Sequence, residues 1–246
     1  MNRPKPLTHP IKAVTFDMGG TLVVPHPSVG EVYCRIAQRH GVKGISPERL
    51  EQRFRQAWQA ARSAPQRRED WETMVDEIFA GLCQSPPSQT FFGELYEEFR
   101  HSRSWKLLPD VIPTLEALAG LGVDLGIVSN WDERLRPLLA ELRLDRYFTC
   151  FAISCEAGFA KPSPVIFQEA LRQLGCPAAS VLHVGDALRE DFAGAMSAGL
   201  AALHLRRDAP SLDLQIRSLD EIVEWVTRSG TGRPGGPAQK FLTPDG

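Results

Sequence analysis

The sequence has no long apolar run. None of its 246 residues lies in a stretch that approaches the ~20 consecutive apolar residues of a membrane-spanning helix. Residues 1–10 are polar and proline-rich, without the apolar centre of a signal peptide. We therefore expect a cytoplasmic protein with no membrane partner.

Cysteine is also scarce. The five residues are odd in number, form no C-x-x-C pair and have no nearby histidines; they are Cys34, Cys83, Cys150, Cys155 and Cys176. Small secreted domains and zinc sites use paired, regularly spaced cysteines. We therefore predict neither a disulfide framework nor a zinc site, which favours a reducing compartment.

No cluster of one charge sign stands out. The 28 Lys and Arg residues nearly balance the 30 Asp and Glu residues, the formal net charge is −2, and the basic residues are scattered. A nucleic-acid-binding surface gathers basic residues on one face. We therefore expect no nucleic-acid partner.

A hydrophobic content of 43% is enough for a large core in one or two domains.

The most informative segment is Phe-Asp-Met-Gly-Gly-Thr-Leu at residues 16–22. Residues 13–16 form a short apolar strand pattern, Asp17 follows its carboxyl end, and Gly19 and Gly20 permit a tight turn. In open α/β sheets, ligands bind at the carboxyl ends of the strands. Taken alone, Asp17 is equally well interpreted as an acidic residue that enters a turn.

Three later segments carry polar side chains after an apolar strand or before a helix. They are residues 125–130 (ending in Ser129 and Asn130), 160–164 (containing Lys161) and 181–186 (ending in Asp186, with Asp191 five residues later). Each has a simpler interpretation on its own: a helix cap for Ser129, a solvated charge for Lys161, and helix N-terminal acids for Asp186 and Asp191. Their occurrence together indicates one site.

The four segments resemble the haloacid dehalogenase-like (HAD) hydrolase superfamily, in the type IA branch with a helical cap inserted after the first motif. The resemblance extends from about residue 14 to about residue 207. It implies that Asp17 is a nucleophile that accepts a phosphoryl group, and that Ser129 and Lys161 hold the phosphate. Thr21 and Asn130 complete the substrate-binding set that the resemblance implies.

The resemblance also implies a Mg²⁺ site formed by Asp17, the backbone carbonyl of Gly19, Asp186 and Asp191. The chemistry agrees, because carboxylates crowded at adjacent strand ends raise one another's pKa unless a cation lies between them. Mg²⁺ prefers oxygen ligands and takes one or two carboxylates. Lys161 would neutralise charge on the nucleophile and on the phosphate.

Gly19 departs from the family pattern. Phosphatases of the family carry a second aspartate at this position, which protonates the leaving alcohol and later activates water. Positioned proton transfer is worth ~10²–10⁴-fold in rate. We therefore expect a slow or leaving-group-limited enzyme, or one with a replacement acid. His26 is the nearest candidate in sequence, although a loop histidine is more often simply solvated.

The pattern of strands and helices predicts an α/β fold. Apolar strand patterns occur at residues 13–16, 125–128, 151–154, 181–184 and 201–205, and helical patterns begin near Ile112, Arg134, Val165 and Asp191. This alternation predicts a Rossmann-like parallel sheet with helices on both faces.

An inserted four-helix cap is expected between the first strand and the rest of the sheet. Helical patterns cover residues 29–40, 70–82 and 89–100, and another helix begins at Ser46 and Pro47 with an N-cap serine and a proline at its first position. The predicted domains are a core (1–24 and 106–228), a cap (25–105) and a disordered tail (229–246).

The cap also carries ten arginines, among them Arg35, Arg39, Arg49, Arg53 and Arg55. We expect most of them to be solvated, while any that faces the cleft would bind a second anionic group. Trp58 and Trp71 are expected to pack within the cap rather than to contact the substrate.

Other chemistries within the superfamily fit less well. Phosphonate cleavage needs a cap lysine, and Lys43, at a helix end, is the only one between residues 25 and 105. Enzymes that cleave carbon–halogen bonds do not keep the acids at Asp186 and Asp191, and a mutase needs the acid missing at Gly19.

We expect a Mg²⁺-dependent phosphohydrolase for a small phosphorylated metabolite, as a monomer or homodimer. The alternative is a non-catalytic protein that binds a phosphorylated ligand or a partner.

Overall fold

The computed structural model describes residues 9–61, 64–208 and 213–230. The strands are β1 (Ala13–Phe16), β2 (Val23–Pro25), β3 (Trp105–Leu107), β4 (Asp124–Ser129), β5 (Cys150–Ile153), β6 (Val181–Gly185), β7 (Ala201–Leu205) and β8 (Gln215–Ile216). The helices are α1 (Val29–Arg39), α2 (Pro47–Ala60), α3 (Arg68–Phe79), α4 (Phe92–Glu98), α5 (Val111–Gly120), α6 (Leu135–Glu141), α7 (Ser154–Ala157), α8 (Pro164–Leu174), α9 (Gly194–Ser197) and α10 (Glu221–Arg228). Most of the predicted tail, residues 231–246, lies outside the described part of the chain.

Six strands form a parallel sheet in the order β5-β4-β1-β6-β7-β8. Side chains alternate between its faces. Val14 and Phe16 of β1 belong to an apolar cluster with residues of α5, α6 and α10. Ala13 belongs to a second cluster with residues of α8 and α9. The sheet is therefore covered by helices on both faces, and the predicted α/β fold is confirmed.

The register of the central strands decides where their polar ends lie. Phe16, the last residue of β1, pairs with Ile127 of β4 and with Val184 of β6. Because the three strands run parallel, their carboxyl ends reach the same edge of the sheet. Asp17 therefore lies between the end of β4 and the end of β6.

The four-helix insert begins and ends with strands, which the sequence analysis did not predict. Pro25 of β2 pairs with Trp105 of β3 in an antiparallel ribbon, so the predicted helical cap (25–105) has a strand residue at each of its ends. Strands of two or three residues are too short to show a period-2 pattern, and β8 was missed for the same reason. The short helix α7 and the C-terminal α10 were also not predicted.

The helices α1–α4 pack around an apolar cluster of their own, which contains Tyr33, Leu50, Val75 and Phe92. Helix α2 has the predicted cap, because the Ser46 hydroxyl accepts the Arg49 N–H at 3.3 Å. Helix α3 begins two residues before the predicted start at residue 70. Helix α4 is shorter than the predicted 89–100, and the dihedral angles of Thr90 (φ −132°, ψ −81°) interrupt the helical path before it.

Glu98 ties the end of α4 to the ribbon and to α1. Its carboxylate accepts hydrogen bonds from Arg103 (2.6 and 3.0 Å), Arg35 (2.7 Å) and the Ser104 hydroxyl (3.0 Å). The Arg103 hydrogen bonds lower the pKa of Glu98 to about 2, with smaller contributions from Ser104 and Arg35. The junction between insert and sheet is thus an ionic cluster rather than a free linker.

All five cysteines have free thiols. In the described part of the chain, no helix has both the length and the apolarity to cross a bilayer.

Candidate active site

Asp17 lies at the bottom of a cavity, directly after β1. Its Oδ1 accepts hydrogen bonds from the Ser129 hydroxyl at 2.8 Å and from Lys161 Nζ at 2.6 Å. The Oδ2 atom has no hydrogen-bond partner among the described residues. Burial raises the pKa of Asp17, and the charge of Lys161 opposes that rise. The site therefore fixes one carboxylate oxygen and leaves the other one available.

Asn130 holds the loop that carries Lys161. Its Nδ2 donates to the Lys161 carbonyl at 3.0 Å, and its Oδ1 accepts the Lys161 N–H at 2.7 Å. This exchange places Lys161 in the cavity wall with a side chain only 2% exposed. Asn130 also lines the cavity, so the structure gives this predicted substrate-binding residue a positioning contact as well.

Asp191 is surrounded by donors. Its Oδ1 contacts Lys161 Nζ at 2.5 Å and His183 Nε2 at 3.2 Å, and its Oδ2 accepts the Ala187 N–H at 3.0 Å. Burial alone would raise the pKa of Asp191, but Lys161 and His183 lower it below its usual value. Asp191 thus remains ionised and serves as a counter-charge for Lys161.

His183 was not predicted as a site residue. It is fully buried on β6, and its Nδ1 lies 3.0 Å from the Thr15 hydroxyl. Burial lowers its pKa, so the ring is neutral, with one nitrogen on Thr15 and the other on Asp191. The signal in the sequence was a histidine in the middle of an apolar strand.

The segment after β6 is wider than an α-helix. Asp191, which was expected to begin a regular helix, lies in a π-helix at Leu188–Ala193. The Ala187 carbonyl accepts the N–H groups of both Asp191 (2.9 Å) and Phe192 (3.3 Å). π-bulges of this kind often occur at functional sites. Here the bulge turns Asp191 back toward β6.

Asp186 is exposed at the cavity wall. Its Oδ1 accepts a hydrogen bond from the Thr21 hydroxyl at 3.3 Å, and its backbone carbonyl lies 3.0 Å from His204 Nε2. Desolvation and the neighbouring carboxylates of Asp17 and Asp191 raise its pKa to about 7. Thr21 itself is fully buried and is not part of the described cavity lining, so its contact is with Asp186 rather than with a ligand.

Two glycines make room for these carboxylates. Gly20 has φ +79°, and a Cβ at this position would overlap the Asp186 carboxylate. A Cβ on Gly185 would overlap the Asp191 carboxylate in the same way. Gly20 is needed both for its backbone angle and for space, whereas Gly185 is needed only for space.

The three carboxylates form a candidate metal centre. One oxygen each from Asp17, Asp186 and Asp191 lies within 4.8 Å of the other two. The residues fit a hard divalent cation because all donors are oxygens. Desolvation raises the pKa of Asp186 most, and repulsion from Asp17 and Asp191, which a cation relieves, raises it further. Gly19, the predicted carbonyl ligand, lines the same cavity.

Trp131 covers Gly19. A Cβ on Gly19 would lie 3.3 Å from an edge carbon of the Trp131 ring, which itself packs on Trp105 with ring centroids 5.0 Å apart. The space above Gly19 is thus filled by an indole. His26, the candidate replacement acid, is exposed and does not belong to the described lining.

A cavity of about 790 Å³ lies between the sheet edge and the insert. Its lining includes Tyr33, Phe54, Trp58, Trp71 and Tyr96 from the insert, and none of the described arginines of the insert. Trp58 and Trp71 pack on each other within the insert and also face the cavity. The five arginines singled out in the sequence lie elsewhere.

A buried ion pair joins the insert to the loop after Ser129. Asp132 and Arg134 form two side-chain hydrogen bonds of 2.6 and 2.9 Å, and Asp132 also accepts the Trp71 indole N–H at 2.7 Å. The Arg134 guanidinium lies 3.8 Å from the centroid of the Tyr96 ring. The sequence analysis missed this pair, although its members are two residues apart, because its burial comes from contacts with Trp71 and Tyr96 of the insert.

Fold and site together define a capped α/β protein in which one sheet edge presents a carboxylate cluster beside a buried lysine. A family model described as haloacid dehalogenase-like hydrolase matches residues 11–199. The chain is 33% identical over 231 residues to haloacid dehalogenase-like hydrolase domain-containing protein 3 of Danio rerio, an alignment that covers 87% of this chain and 95% of that protein. The chain belongs to the haloacid dehalogenase-like hydrolase family, as the sequence predicted.

Two solved structures share the fold at 28% identity and a TM-score of 0.64. One is a HAD phosphatase from Thermococcus onnurineus, with 87% of this chain and 97% of that chain covered. The other is a 2-haloacid dehalogenase from Pseudomonas syringae pv. Tomato DC3000, with 89% and 99% covered. Because the two neighbours carry names of different reactions, overall similarity does not select between those reactions, and the site residues must decide.

Proposed function

We propose that this protein is a Mg²⁺-dependent phosphohydrolase that acts on a small phosphorylated metabolite through an aspartyl-phosphate on Asp17. The available Oδ2 of Asp17 attacks phosphorus, and the bond from phosphorus to the leaving oxygen breaks. Ser129 and Lys161 keep the carboxylate oriented, and Lys161 offsets negative charge at the site. Water then cleaves the aspartyl-phosphate, which regenerates Asp17 and releases phosphate.

The metal would be held by Asp17, Asp186 and Asp191, together with the Gly19 carbonyl that the family resemblance implies. When bound, Mg²⁺ supplies charge stabilisation for the transferring phosphoryl group. The Thr21 hydroxyl orients Asp186 for this role. Gly19 supplies no side chain to protonate the leaving oxygen, so we propose that turnover is slow and depends on good leaving groups.

The observation that carries this proposal is the arrangement around Asp17. One carboxylate oxygen is fixed by Ser129 and Lys161, the other is unpaired among the described residues, and two further carboxylates lie within 4.8 Å. Carbon–halogen cleavage in the family does not require the carboxylates of Asp186 and Asp191. The arrangement instead supports transfer of an anionic group with a cation present.

We expect mass spectrometry to detect a phosphoryl group on Asp17 after the protein is mixed with acetyl phosphate and Mg²⁺. The intermediate should accumulate as a burst, because no aspartate activates water for its hydrolysis. Asp17→Asn, which keeps the shape of the side chain, should show no label. Absence of a label on the wild type, together with absent turnover of aryl phosphates, would favour the non-catalytic alternative. Halide release from a 2-haloacid would instead indicate dehalogenase chemistry.

Asp186→Asn is expected to weaken Mg²⁺ binding by at least tenfold, because it removes one of the few carboxylates that a Mg²⁺ site uses. Isothermal titration calorimetry with MgCl₂ measures the affinity. Glu190→Gln, one residue before Asp191 but outside the proposed ligand set, is the matched control and should keep most of the affinity. Equal Mg²⁺ affinity in wild type and Asp186→Asn would contradict the proposed metal position.

A further inference from the structure

The cavity is much larger than the site for the phosphoryl group. Its volume of about 790 Å³ is within the ~300–1,000 Å³ range of small-molecule pockets. The phosphoryl site occupies only the sheet edge near Asp17 and Lys161. The remaining space is available to the organic part of a ligand, and its walls determine which organic groups fit.

Aromatic side chains dominate the wall that the insert supplies. Phe54 stacks on Trp58 with centroids 5.8 Å apart, and Trp58 packs on Trp71 at 6.1 Å with an interplanar angle of 31°. All three line the cavity, as does Trp131 above Gly19. Flat aromatic side chains interact most favourably with another aromatic ring, through apolar contact and offset stacking.

Two of the three cations in the described lining are already paired with carboxylates. Lys161 is paired with Asp17 and Asp191, and Arg134 is paired with Asp132. Arg189, the third cation, is exposed after β6 and forms no ion pair with a described residue, so solvent screens its charge. The lining holds five carboxylates and three cations, a difference that the proposed Mg²⁺ would offset. The phosphate of the substrate then restores an excess of negative charge, which disfavours a second phosphate or carboxylate on the same ligand.

The same wall includes a buried neutral donor, Tyr33. Tyr33 lines the cavity, and its hydroxyl makes no hydrogen bond to a described residue. Burial raises the pKa of Tyr33 well above its usual value, so the hydroxyl stays protonated. It is suited to a neutral acceptor on the ligand, such as a ring nitrogen or a carbonyl oxygen.

We infer that the ligand is a phosphate monoester whose organic part is an uncharged aromatic ring without a second anionic group. This inference rests on the proposed function for its phosphate site. Its evidence for the organic part of the ligand is the aromatic wall of the insert, which is independent of the catalytic residues. Gly19 favours leaving groups that accept negative charge, and the aromatic wall favours flat rings. Aryl phosphates satisfy both conditions, and benzyl-type phosphates satisfy only the second.

The test uses the full chain with Mg²⁺ and three phosphonates that the enzyme cannot hydrolyse, measured by calorimetry. Benzylphosphonate should bind about tenfold or more tightly than methylphosphonate, since one aromatic contact is worth on the order of one factor of ten. 3-Phosphonopropionate, which carries a second anion, should bind no better than methylphosphonate. Equal binding of the benzyl and methyl compounds, or tightest binding of phosphonopropionate, overturns the inference.

Trp58→Ala should remove most of the preference for benzylphosphonate and leave methylphosphonate binding unchanged. Trp58 is 43% exposed, so its loss should be compatible with folding, and Trp58→Phe should keep part of the preference. Met196→Ala is the matched control, because Met196 is 48% exposed and lies outside the described lining. An unchanged preference in Trp58→Ala counts against the inference.

Turnover separates this inference from the proposed function. If benzylphosphonate is preferred but phenyl phosphate is not hydrolysed, the ligand class stands and the hydrolase proposal fails. If phenyl phosphate is hydrolysed but no aromatic preference is found, the hydrolase proposal stands and the inference fails. Failure of all three phosphonates to bind overturns both.

Discussion

Gly19→Asp combined with Trp131→Ala is expected to raise the rate of phosphoenzyme hydrolysis by about 10²–10⁴-fold, the usual worth of a positioned general base. The family resemblance gives the acid of related phosphatases the position of Gly19, two residues after Asp17. A protonated carboxyl group there would donate its proton to the leaving oxygen in the first step, and the resulting carboxylate would accept a proton from water in the second. The burst expected for the wild type should then become smaller or disappear.

Gly19→Asp alone should give a smaller gain. Its Cβ would lie 3.3 Å from the Trp131 ring, closer than ordinary contact, and the carboxylate beyond it needs still more room. Trp131→Ala removes that ring and leaves Trp105 to repack. The two substitutions should therefore be strongly non-additive, as expected for residues in contact.

Rapid-quench measurement of aspartyl-phosphate decay checks this prediction in the wild type, both single variants and the double variant. Trp131→Ala alone is the control, since it creates space without adding an acid, and it should not accelerate decay. Leaving-group dependence is a second measurement: the double variant should depend less steeply on leaving-group acidity than the wild type. Equal decay rates in all four proteins would show that Gly19 does not limit the reaction.

Asp132→Ala is expected to lower the free energy of unfolding by about 3–5 kcal/mol, the usual cost of leaving one member of a buried ion pair without its partner. Asp132 is 1% exposed and Arg134 is 6% exposed. Removal of Asp132 leaves the guanidinium with only the Tyr96 carbonyl at 3.0 Å and the adjacent aromatic rings. It also leaves the Trp71 indole N–H without its acceptor.

Urea denaturation of the full chain measures the effect. Asp132→Leu combined with Arg134→Met should recover most of the loss, because replacement of both charges by apolar groups removes the uncompensated charge. Glu169→Ala is the matched surface control, since its pair with Arg172 is exposed to solvent, and it should change stability far less. A small loss for Asp132→Ala would mean that water reaches Arg134 at the interface.

The Asp132–Arg134 pair lies between the aromatic wall of the cavity and the loop that orients Asp17. Asp132 follows Ser129 and Asn130 by only a few residues, and Trp71 belongs to the aromatic wall of the cavity. The indole of Trp71 therefore contacts the loop that orients Asp17. We propose residues 25–105 as a cap domain whose position over the sheet edge is fixed largely by Asp132, Arg134 and Glu98. Substitutions there should alter substrate affinity as well as stability.

The sequence alone was enough to predict five of the six strands of the sheet and the polar residues that follow the central ones. Asp17, Ser129 and Asp186 each follow an apolar strand, and parallel strands bring their carboxyl ends together whatever lies between them in sequence. The predicted strands therefore placed these side chains in one region before any distance was known. Lys161 was predicted from the family resemblance and its proline-rich loop, and the Asn130 amide holds it in place.

Only the tertiary structure decided how the site is enclosed. His183 gave no functional signal as a single polar residue in an apolar strand, and its role comes from Asp191, which a π-helix turns back toward it. Trp131 above Gly19, the aromatic wall, and the contacts of Trp71 and Tyr96 that bury the Asp132–Arg134 pair depend on residues far apart in the chain. Local patterns determine strands, caps and turns because those depend on neighbouring residues. The packing of an inserted helical unit onto a sheet edge depends on side-chain volume and charge across the interface.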